Sequence, residues 1–295
     1  EFNKPISTSS DIYNSWITLH TDIITTPSVL DISAFMKLLI EHINGEYFFD
    51  GFQQNDVSEF ITLLFQVLHN SIKEDKNMII EGTPQNEFDN IAIKCMNIWK
   101  THFETSYSYI IEKTYSQLCT TIKCPNCNYK TSTYDPIQII PLSITTNNEN
   151  NNTIYDCLNE FTMVELLDTK NQWKCDQCNN YVLSKKCSQF WNLSDILIFQ
   201  LKVYTKTTKV DTFITYPDIL QMDKYNINYN NLSTHYKLFG LCIQFGSLNG
   251  GHYISICYNK HDNQWRLYND SEVTSIPYQK VFEQKPYCLF YKRID

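Results

Sequence analysis

The sequence has little glycine, no excess of basic residues and no long hydrophobic run. Its 295 residues include only seven glycines but twenty tyrosines and seventeen phenylalanines, which argues against low-complexity disorder. No apolar run approaches the ~18 residues of a membrane span, so we expect no membrane partner. Lys and Arg together number 24 against 32 Asp and Glu, and the net charge of −8 disfavours nucleic acid and suits a partner with basic groups.

Cysteine is abundant in this chain. Eleven cysteines, an odd number in a long chain without a signal-like start, indicate reduced thiols and metal ligands rather than a disulfide framework. This use of cysteine predicts an intracellular protein, cytoplasmic or nuclear.

Hydrophobic spacing predicts helices in the first hundred residues and strands after about residue 107. Helices are expected to begin near Asp31 and at Asp56, and others to cover 88–104 and 154–167. Asp56 and Glu59 have the spacing of a capping box. The predicted strands are 109–122, 137–144, 196–204, 236–245, 252–258, 265–268 and 287–292, and residues 145–153 are expected to form a polar loop. Helices first and strands later are typical of an α+β fold.

Four of the cysteines form two C-x2-C pairs, Cys124 with Cys127 and Cys175 with Cys178. Each pair places two thiolates on one side of a tight turn, and two such turns facing each other make a tetrahedral site for Zn²⁺. Four protein ligands close the coordination shell, so the predicted zinc is structural. The alternative is four ordinary buried thiols, and the other seven cysteines are expected in the core.

A histidine stands at the start of a predicted hairpin. Gly250 and Gly251 precede His252, and a polar turn joins that strand to the segment ending in Asn269 and Asp270. Antiparallel pairing would place His252 directly opposite Asn269, the arrangement that orients a catalytic imidazole. The two glycines allow a close approach of backbone and substrate. The alternative is a strand-end histidine packed against aromatic side chains.

These features together resemble the ubiquitin-specific protease family of papain-like cysteine deubiquitinases. Five groups of residues match the family's motifs in the family's order: the Q-x-D-x-x-E-F box at 54–60, the two cysteine pairs, the segment 196–202 with Lys209 and 216–217, the His and third-member boxes at 236–238, 251–253, Trp265 and 268–270, and the closing strand 287–291.

The resemblance implies a papain-like fold in which one catalytic domain spans 1–295. A helical thumb at 1–106, zinc-bearing β fingers at 107–190 and a β palm at 191–295 would surround a groove for ubiquitin. The implied reaction is hydrolysis of the isopeptide or peptide bond after the C-terminal glycine of ubiquitin, with ubiquitin and ubiquitinated proteins as partners.

The resemblance also implies roles for single residues. His252 would be the general base, Asn269 would orient it, and Asp270 would support both. Asp56 and Glu59 would contact the arginines of the C-terminal tail of ubiquitin. The substrate would also pass Gly250, Gly251 and Tyr253.

Three departures from the family pattern stand out. Val203 replaces a usual Arg, and Gln244 replaces a frequent His. The family's Gly-Asn-Thr-Cys-type box, which carries the nucleophile and an oxyanion donor, has no counterpart, because residues 1–30 contain no cysteine. We therefore expect the nucleophilic cysteine upstream of residue 1.

Two other functions are considered. The first is a catalytically inactive ubiquitin-binding pseudo-protease that has lost its cysteine. The second is a zinc-ribbon protein that binds nucleic acid, which the net charge of −8 disfavours.

Overall fold

The computed structural model describes residues 10–25, 30–43, 55–144, 152–204, 209–228, 232–247 and 250–294. Its helices are α1 (Asp11–Thr25), α2 (Ser33–Ile43), α3 (Val57–Ile72), α4 (Glu87–Phe103), α5 (Tyr109–Thr114), α6 (Ile154–Thr162) and α7 (Tyr278–Val281). Its strands are β1 (Ser116–Lys123), β2 (Lys130–Ile137), β3 (Ile139–Ser143), β4 (Asn152–Thr153), β5 (Glu165–Leu166), β6 (Trp173–Lys174), β7 (Tyr181–Val182), β8 (Lys185–Asn192), β9 (Ile196–Lys202), β10 (Ile214–Thr215), β11 (Ile219–Gln221), β12 (His235–Ser247), β13 (Gly250–Asn259), β14 (Gln264–Asn269), β15 (Glu272–Ile276) and β16 (Cys288–Arg293).

The N-terminal part of the chain is helical, as predicted. Helices α1, α2 and α3 pack around a core that includes Ile12, Leu39 and Leu63. The helices expected near Asp31, at Asp56 and over 88–104 correspond to α2, α3 and α4. Asp31 Oδ1 accepts from the Ser33 amide at 2.9 Å, so a side-chain cap fixes the start of α2. Within the described ranges, no helix combines the length and the apolar character that a bilayer crossing requires.

The strands form two larger, mainly antiparallel sheets and two two-stranded sheets, in which β4 pairs with β10 and β6 pairs with β7. The small sheet has the strand order β2-β1-β8-β5. The large sheet has the order β15-β14-β13-β12-β16-β9-β3, and β11 pairs with β12 beside this path. Only the pairing of β3 with β9 is parallel in the large sheet. A core that includes Phe199, Leu241 and Tyr291 covers one face of the large sheet, against which α6 packs. This is the expected α+β architecture.

The segment expected as a strand at 109–122 begins with a helix, so that prediction was wrong over its first half. Ser108 Oγ accepts from the Ile111 amide and caps α5, and Thr114 Oγ1 bonds back to the Ile110 carbonyl oxygen at 2.7 Å. A side-chain cap outweighs the β propensity of the isoleucines here. β1 then begins at Ser116.

The helix expected at 154–167 ends at Thr162. Met163 is extended, and Glu165 and Leu166 pair with Lys186 and Lys185 to add a fourth strand to the small sheet. In the polar loop expected at 145–153, Asn152 and Thr153 form β4, whereas 145–151 lie outside the described residues. Strands β2, β8 and β15 were not predicted.

The division into fingers and palm stays a prediction, and its boundary at residue 190 does not coincide with the division between the two larger sheets. The predicted fingers, 107–190, contain β3, which pairs with β9 in the large sheet. They also contain α5, which contacts α3 and β9. Chain order alone does not reveal these assignments, because β3 returns to the large sheet by a parallel pairing between distant segments.

Candidate active site

His252 and Asn269 meet at one end of the large sheet. Asn269 Oδ1 lies 2.6 Å from His252 Nε2. The register differs from the prediction, because β13 and β14 pair Ser255 with Tyr268 and Cys257 with Arg266, which places Asn269 two positions from the residue opposite His252. A shift of two residues keeps the side chain on the same face of the sheet, so the predicted contact still forms.

The contact defines the protonation of the imidazole. An amide oxygen can only accept a hydrogen bond, so Nε2 carries the proton and donates it to Asn269. Nδ1 is then left with a free electron pair, and among the described residues it has no hydrogen-bond partner. The His252 side chain is 46% exposed, so solvent reaches the imidazole. This arrangement suits a general base.

Asp270 adds a carboxylate to the same site. It lies in the tight turn between β14 and β15 with a φ of 50°, a left-handed conformation that Asp adopts more readily than most residues. The turn returns Asp270 Oδ2 to 3.8 Å from His252 Nε2. The Asp270 side chain is 81% exposed, so solvent screens most of its interaction with the imidazole.

Glycines allow the strand ends before His252 to approach each other. A Cβ on Gly251 would lie 2.3 Å from the Phe245 carbonyl oxygen, and a Cβ on Gly246 would lie 2.4 Å from the Gly250 carbonyl oxygen. Gly246 also has a φ of 115°, which side chains rarely permit. The turn that presents His252 therefore depends on residues without side chains.

Asp56 joins the helical region to the large sheet. Its Oδ1 accepts from the Ser58 amide at 2.7 Å and caps α3. Its Oδ2 accepts from the Tyr287 hydroxyl, and that hydroxyl in turn accepts from Gln200 Nε2 at 2.8 Å. Burial and the bond to Asp56 raise the pKa of Tyr287, so the phenol stays a donor. Both carboxylate oxygens of Asp56 are thus used inside the molecule.

Glu59 and Tyr253 lie on either side of this junction. Glu59 is exposed, and its carboxylate has no ion pair or hydrogen bond among the described residues. Only half of the expected capping box is therefore seen, the half made by Asp56. The Tyr253 ring lies 5.8 Å from the Tyr287 ring, centroid to centroid, and directly follows His252. Asp56 is therefore linked through the buried Tyr287 to Tyr253, the residue after His252.

None of the eleven cysteines lies beside His252, and all of them are within the described ranges. Burial raises the pKa of Cys95 and Cys242 to about 12 and also raises the pKa of other cysteines, which are Cys119, Cys187, Cys257 and Cys288. Cys157 is fully buried in the core of the large sheet. Thiols with raised pKa values are poor nucleophiles at neutral pH. Of the seven cysteines outside the pairs, Cys95, Cys119, Cys157 and Cys288 are buried, as predicted, whereas Cys187, Cys242 and Cys257 are only partly buried.

The other four cysteines meet at the tip of the small sheet. The Sγ atoms of Cys124, Cys127, Cys175 and Cys178 all lie within 4.8 Å of one another. Cys124 and Cys178 are 3.8 Å apart, and Cys127 and Cys175 are 3.6 Å apart, sulfur to sulfur. Tetrahedral coordination with metal–sulfur bonds of about 2.3 Å requires a separation of about 3.8 Å. The cluster therefore fits a tetrahedral metal ion.

The two cysteine pairs are built alike. Asn128 and Asn179 each have a φ of 58° and donate their amides to the carbonyl oxygens of Cys124 and Cys175, at 3.1 and 2.8 Å. Asn tolerates this left-handed conformation, which closes each turn around its thiols. The rings of Tyr129 and Trp173 stack with an interplanar angle of 8° and cover the cluster.

Some residues at the site were not predicted from the sequence to act there, namely Gln200, Tyr204, Lys209, Gln244 and Tyr287. Lys209, Gln244 and Tyr287 stood out only through resemblance to, or departure from, the family pattern. Their contacts join segments that are distant in the chain, so no periodicity or spacing signals them.

Comparison with known proteins shows the family of this chain. A family model described as "Ubiquitin carboxyl-terminal hydrolase" matches residues 7–291. A probable ubiquitin carboxyl-terminal hydrolase, R319, of Acanthamoeba polyphaga mimivirus is 28% identical over 267 residues, which are 86% of this chain and 55% of that protein. Human ubiquitin carboxyl-terminal hydrolase 2 is 27% identical over 257 residues, 83% of this chain and 41% of that protein. The chain thus spans about half the length of these relatives, or less.

A solved structure shares the fold. It is the SAGA DUB module of Ubp8, Sgf11, Sus1 and Sgf73 bound to monoubiquitin, and it matches with a TM-score of 0.68 and 25% identity over 89% of this chain and 54% of that one. The family match covers nearly the whole chain. The chain belongs to the ubiquitin carboxyl-terminal hydrolase family of cysteine-type hydrolases.

Proposed function

We propose that this chain binds ubiquitin and supplies the general base for hydrolysis of the bond after the C-terminal glycine of ubiquitin. The observation that carries the proposal is the hydrogen bond of 2.6 Å between His252 and Asn269, which leaves Nδ1 unprotonated. Four of the eleven cysteines form the metal cluster and the other seven are buried or partly buried, so the attacking thiol would come from outside residues 1–295.

The proposed chemistry has two steps. A thiol transfers its proton to His252 Nδ1, and its sulfur forms a bond to the glycine carbonyl carbon. The carbon–nitrogen bond breaks, and the leaving amine takes the proton from His252. Water then gives a proton to His252 and attacks the thioester, which releases the ubiquitin carboxylate and restores the thiol. Asn269 keeps the imidazole oriented through both steps.

The substrate channel follows from charge and position. The C-terminal tail of ubiquitin carries arginines, and Glu59 offers them a carboxylate that is unpaired among the described residues. Asp56 acts in this proposal mainly through structure, because the α3 amides and Tyr287 occupy its oxygens. Gly250, Gly251 and Tyr253 would border the tail next to His252.

We further propose that the four cysteines bind a structural Zn²⁺ ion. An all-thiolate tetrahedral site is typical of zinc, and with four protein ligands it leaves no position open for water or substrate. The ion would hold the turn after β1 against the turn between β6 and β7.

The proposed reaction is tested by giving the chain a thiol. A version extended at its N-terminus with a Gly-Asn-Thr-Cys-type helix start should hydrolyse a fluorogenic C-terminal amide of ubiquitin. His252→Ala and Asn269→Ala should slow that hydrolysis strongly without abolishing ubiquitin binding. If the extended chain binds ubiquitin but never hydrolyses the amide, the chain is the inactive ubiquitin-binding alternative. If neither form binds ubiquitin, both functions are wrong.

A further inference from the structure

Tyr204 and Lys209 meet beside the large sheet. They form an isolated antiparallel bridge, and the Val210 amide donates to the Val203 carbonyl oxygen at 2.7 Å. The bridge brings the two side chains together, with Lys209 Nζ 5.6 Å from the centre of the Tyr204 ring. Both side chains reach Gln244 on β12.

Uncharged oxygens surround the half-buried Lys209 ammonium. It donates to Gln244 Oε1 at 2.8 Å, to the Gly246 carbonyl oxygen at 3.0 Å and to the Gln244 carbonyl oxygen at 3.2 Å. Three acceptors use the full donor capacity of an ammonium group. The nearby Asp211 carboxylate pairs instead with Lys285, Oδ1 to Nζ at 2.7 Å. Lys209 is therefore placed to hold the backbone rather than to bind an anion.

Gln244 carries this contact to the residue before His252. Its Oε1 also accepts from the Tyr204 hydroxyl at 2.6 Å, so two donors fix the amide. Its Nε2 lies 2.3 Å from the position that a Cβ on Gly251 would take. β12 and β13 pair Gln244 with Tyr253 and Phe245 with His252. The amide of Gln244 thus packs directly on the backbone of Gly251.

We propose that Lys209 is a positioning residue that acts through Gln244 and the Gly246 carbonyl to hold His252 against Asn269. The inference rests on the proposed function, in which His252 is the general base. Asn269 is the only side chain hydrogen-bonded to His252 among the described residues, so the imidazole depends on the backbone at the start of β13. Catalytic groups must be held within about 0.5 Å. The three bonds of Lys209 fix the end of β12, and β12 pairs with the start of β13 that carries His252.

The ring nitrogens of His252 report the effect directly. In the full chain labelled with ¹⁵N-histidine, His252→Gln identifies the signal among the seven histidines. The wild-type imidazole should show one fixed tautomer, protonated at Nε2. Lys209→Met keeps the side-chain length but removes the donors, and should make the two nitrogen signals move toward a common average. Lys209→Arg retains donors and should restore the fixed tautomer.

Lys285→Met is the matched control, because it removes a cation from the same cleft without touching Gln244. The inference is overturned if His252 keeps the fixed wild-type tautomer in Lys209→Met. It is also overturned if the His252 nitrogen signals average in Lys285→Met as much as in Lys209→Met. If thermal unfolding shows that Lys209→Met does not fold, Gln244→Met replaces it as the test variant. The inference then requires that the two nitrogen signals of His252 average in Gln244→Met. Each variant is also titrated with ubiquitin. A wild-type chain that does not bind ubiquitin but shows the Lys209 effect refutes the proposed function and leaves this inference standing.

Discussion

The four-cysteine cluster and the His252 turn are held in different ways. At the cluster, two turns of the same design each close over their own thiols through a left-handed Asn. At the His252 turn, Gly246 and Gly251 make the close approach possible, but Lys209, Gln244 and Asn269 hold it from other parts of the chain. The first site is formed locally and would be joined by a metal ion. The second exists only when the whole large sheet is assembled.

The largest expected effect is on metal binding and stability at the four-cysteine cluster. Cys175→Ser should release bound zinc and greatly lower the free energy of unfolding of the small sheet, because structural zinc contributes about 10–16 kcal/mol of apparent binding energy in zinc-finger peptides. Metal analysis and chemical denaturation measure both effects. Cys187→Ser is the control, since Cys187 lies on β8 outside the cluster. A chain that is purified without metal and unfolds identically with and without chelator would show that the cysteines are ordinary thiols.

The next largest expected effect is on the affinity for ubiquitin at the start of α3. Glu59→Lys should weaken ubiquitin binding by about 1–3 kcal/mol, because charge-assisted bonds to the arginine-bearing tail are lost. Titration calorimetry measures this loss. Glu87→Lys is the matched control, because Glu87 is also an exposed acid in the first turn of a helix. Equal affinities for the two variants would mean that Glu59 serves only the start of α3.

The hydrogen-bonded junction between α3 and the large sheet should give a smaller effect. Tyr287→Phe removes the donor to the Asp56 carboxylate and should cost about 1.5–3 kcal/mol of unfolding free energy, the range for bonds to charged groups. Tyr291→Phe removes a bond to the neutral Pro217 carbonyl oxygen and should cost about 1 kcal/mol. Urea denaturation of both variants measures the difference. If Tyr291→Phe costs more, the Asp56 contact does not hold the two regions together.

The smallest expected effect is a pH dependence of the unfolding free energy. It arises at His69, which lies outside the four-cysteine cluster and the His252 turn. Burial, with a further contribution from Lys73, lowers the pKa of His69, whose nitrogens lie 2.8 Å from Ser108 Oγ and 3.1 Å from Ser106 Oγ. As the pH falls, His69 therefore gains a proton in the unfolded chain before it does so in the folded chain. The stability that neutral His69 contributes is fully present above the unfolded pKa of about 6.5 and is lost as the pH falls through the lowered folded pKa.

Denaturation at a series of pH values should show this loss in the wild type and less of it in His69→Gln, which can bond to the hydroxyls without titrating. His261→Gln, at an exposed position, is the control. An unchanged pH profile in His69→Gln would place the titrating group elsewhere.

Sequence reasoning succeeded where the signal is local. The cysteine pairs, the cap at Asp56 and the helices α2, α3 and α4 depend on residues a few positions apart, and all were predicted. It failed where a cap competed with β propensity, as at Ser108, and where pairing is long-range, as for β3. The predicted register of β13 and β14 was wrong by two residues because the turn length is not fixed by the sequence pattern, but the period of two kept Asn269 on the correct face.

The same reasoning explains which site residues were missed. His252 and Asn269 stand in segments with recognisable alternation, so their meeting could be predicted. Gln200 and Tyr287 act through a chain of bonds to Asp56 that joins β9, the segment before β16 and α3. Contacts of this kind have no sequence signature, because each residue by itself is an ordinary polar or aromatic side chain at a strand.

The central proposal is that this chain supplies the base and the ubiquitin-binding surface of a deubiquitinase but has no nucleophile among its eleven cysteines. The most direct test mixes the 295-residue chain with ubiquitin that carries a thiol-reactive group at its C-terminus and records the intact mass. We predict that the chain binds this ubiquitin reversibly and keeps its unmodified mass. A covalent adduct that mass spectrometry maps to any of its cysteines would contradict the account.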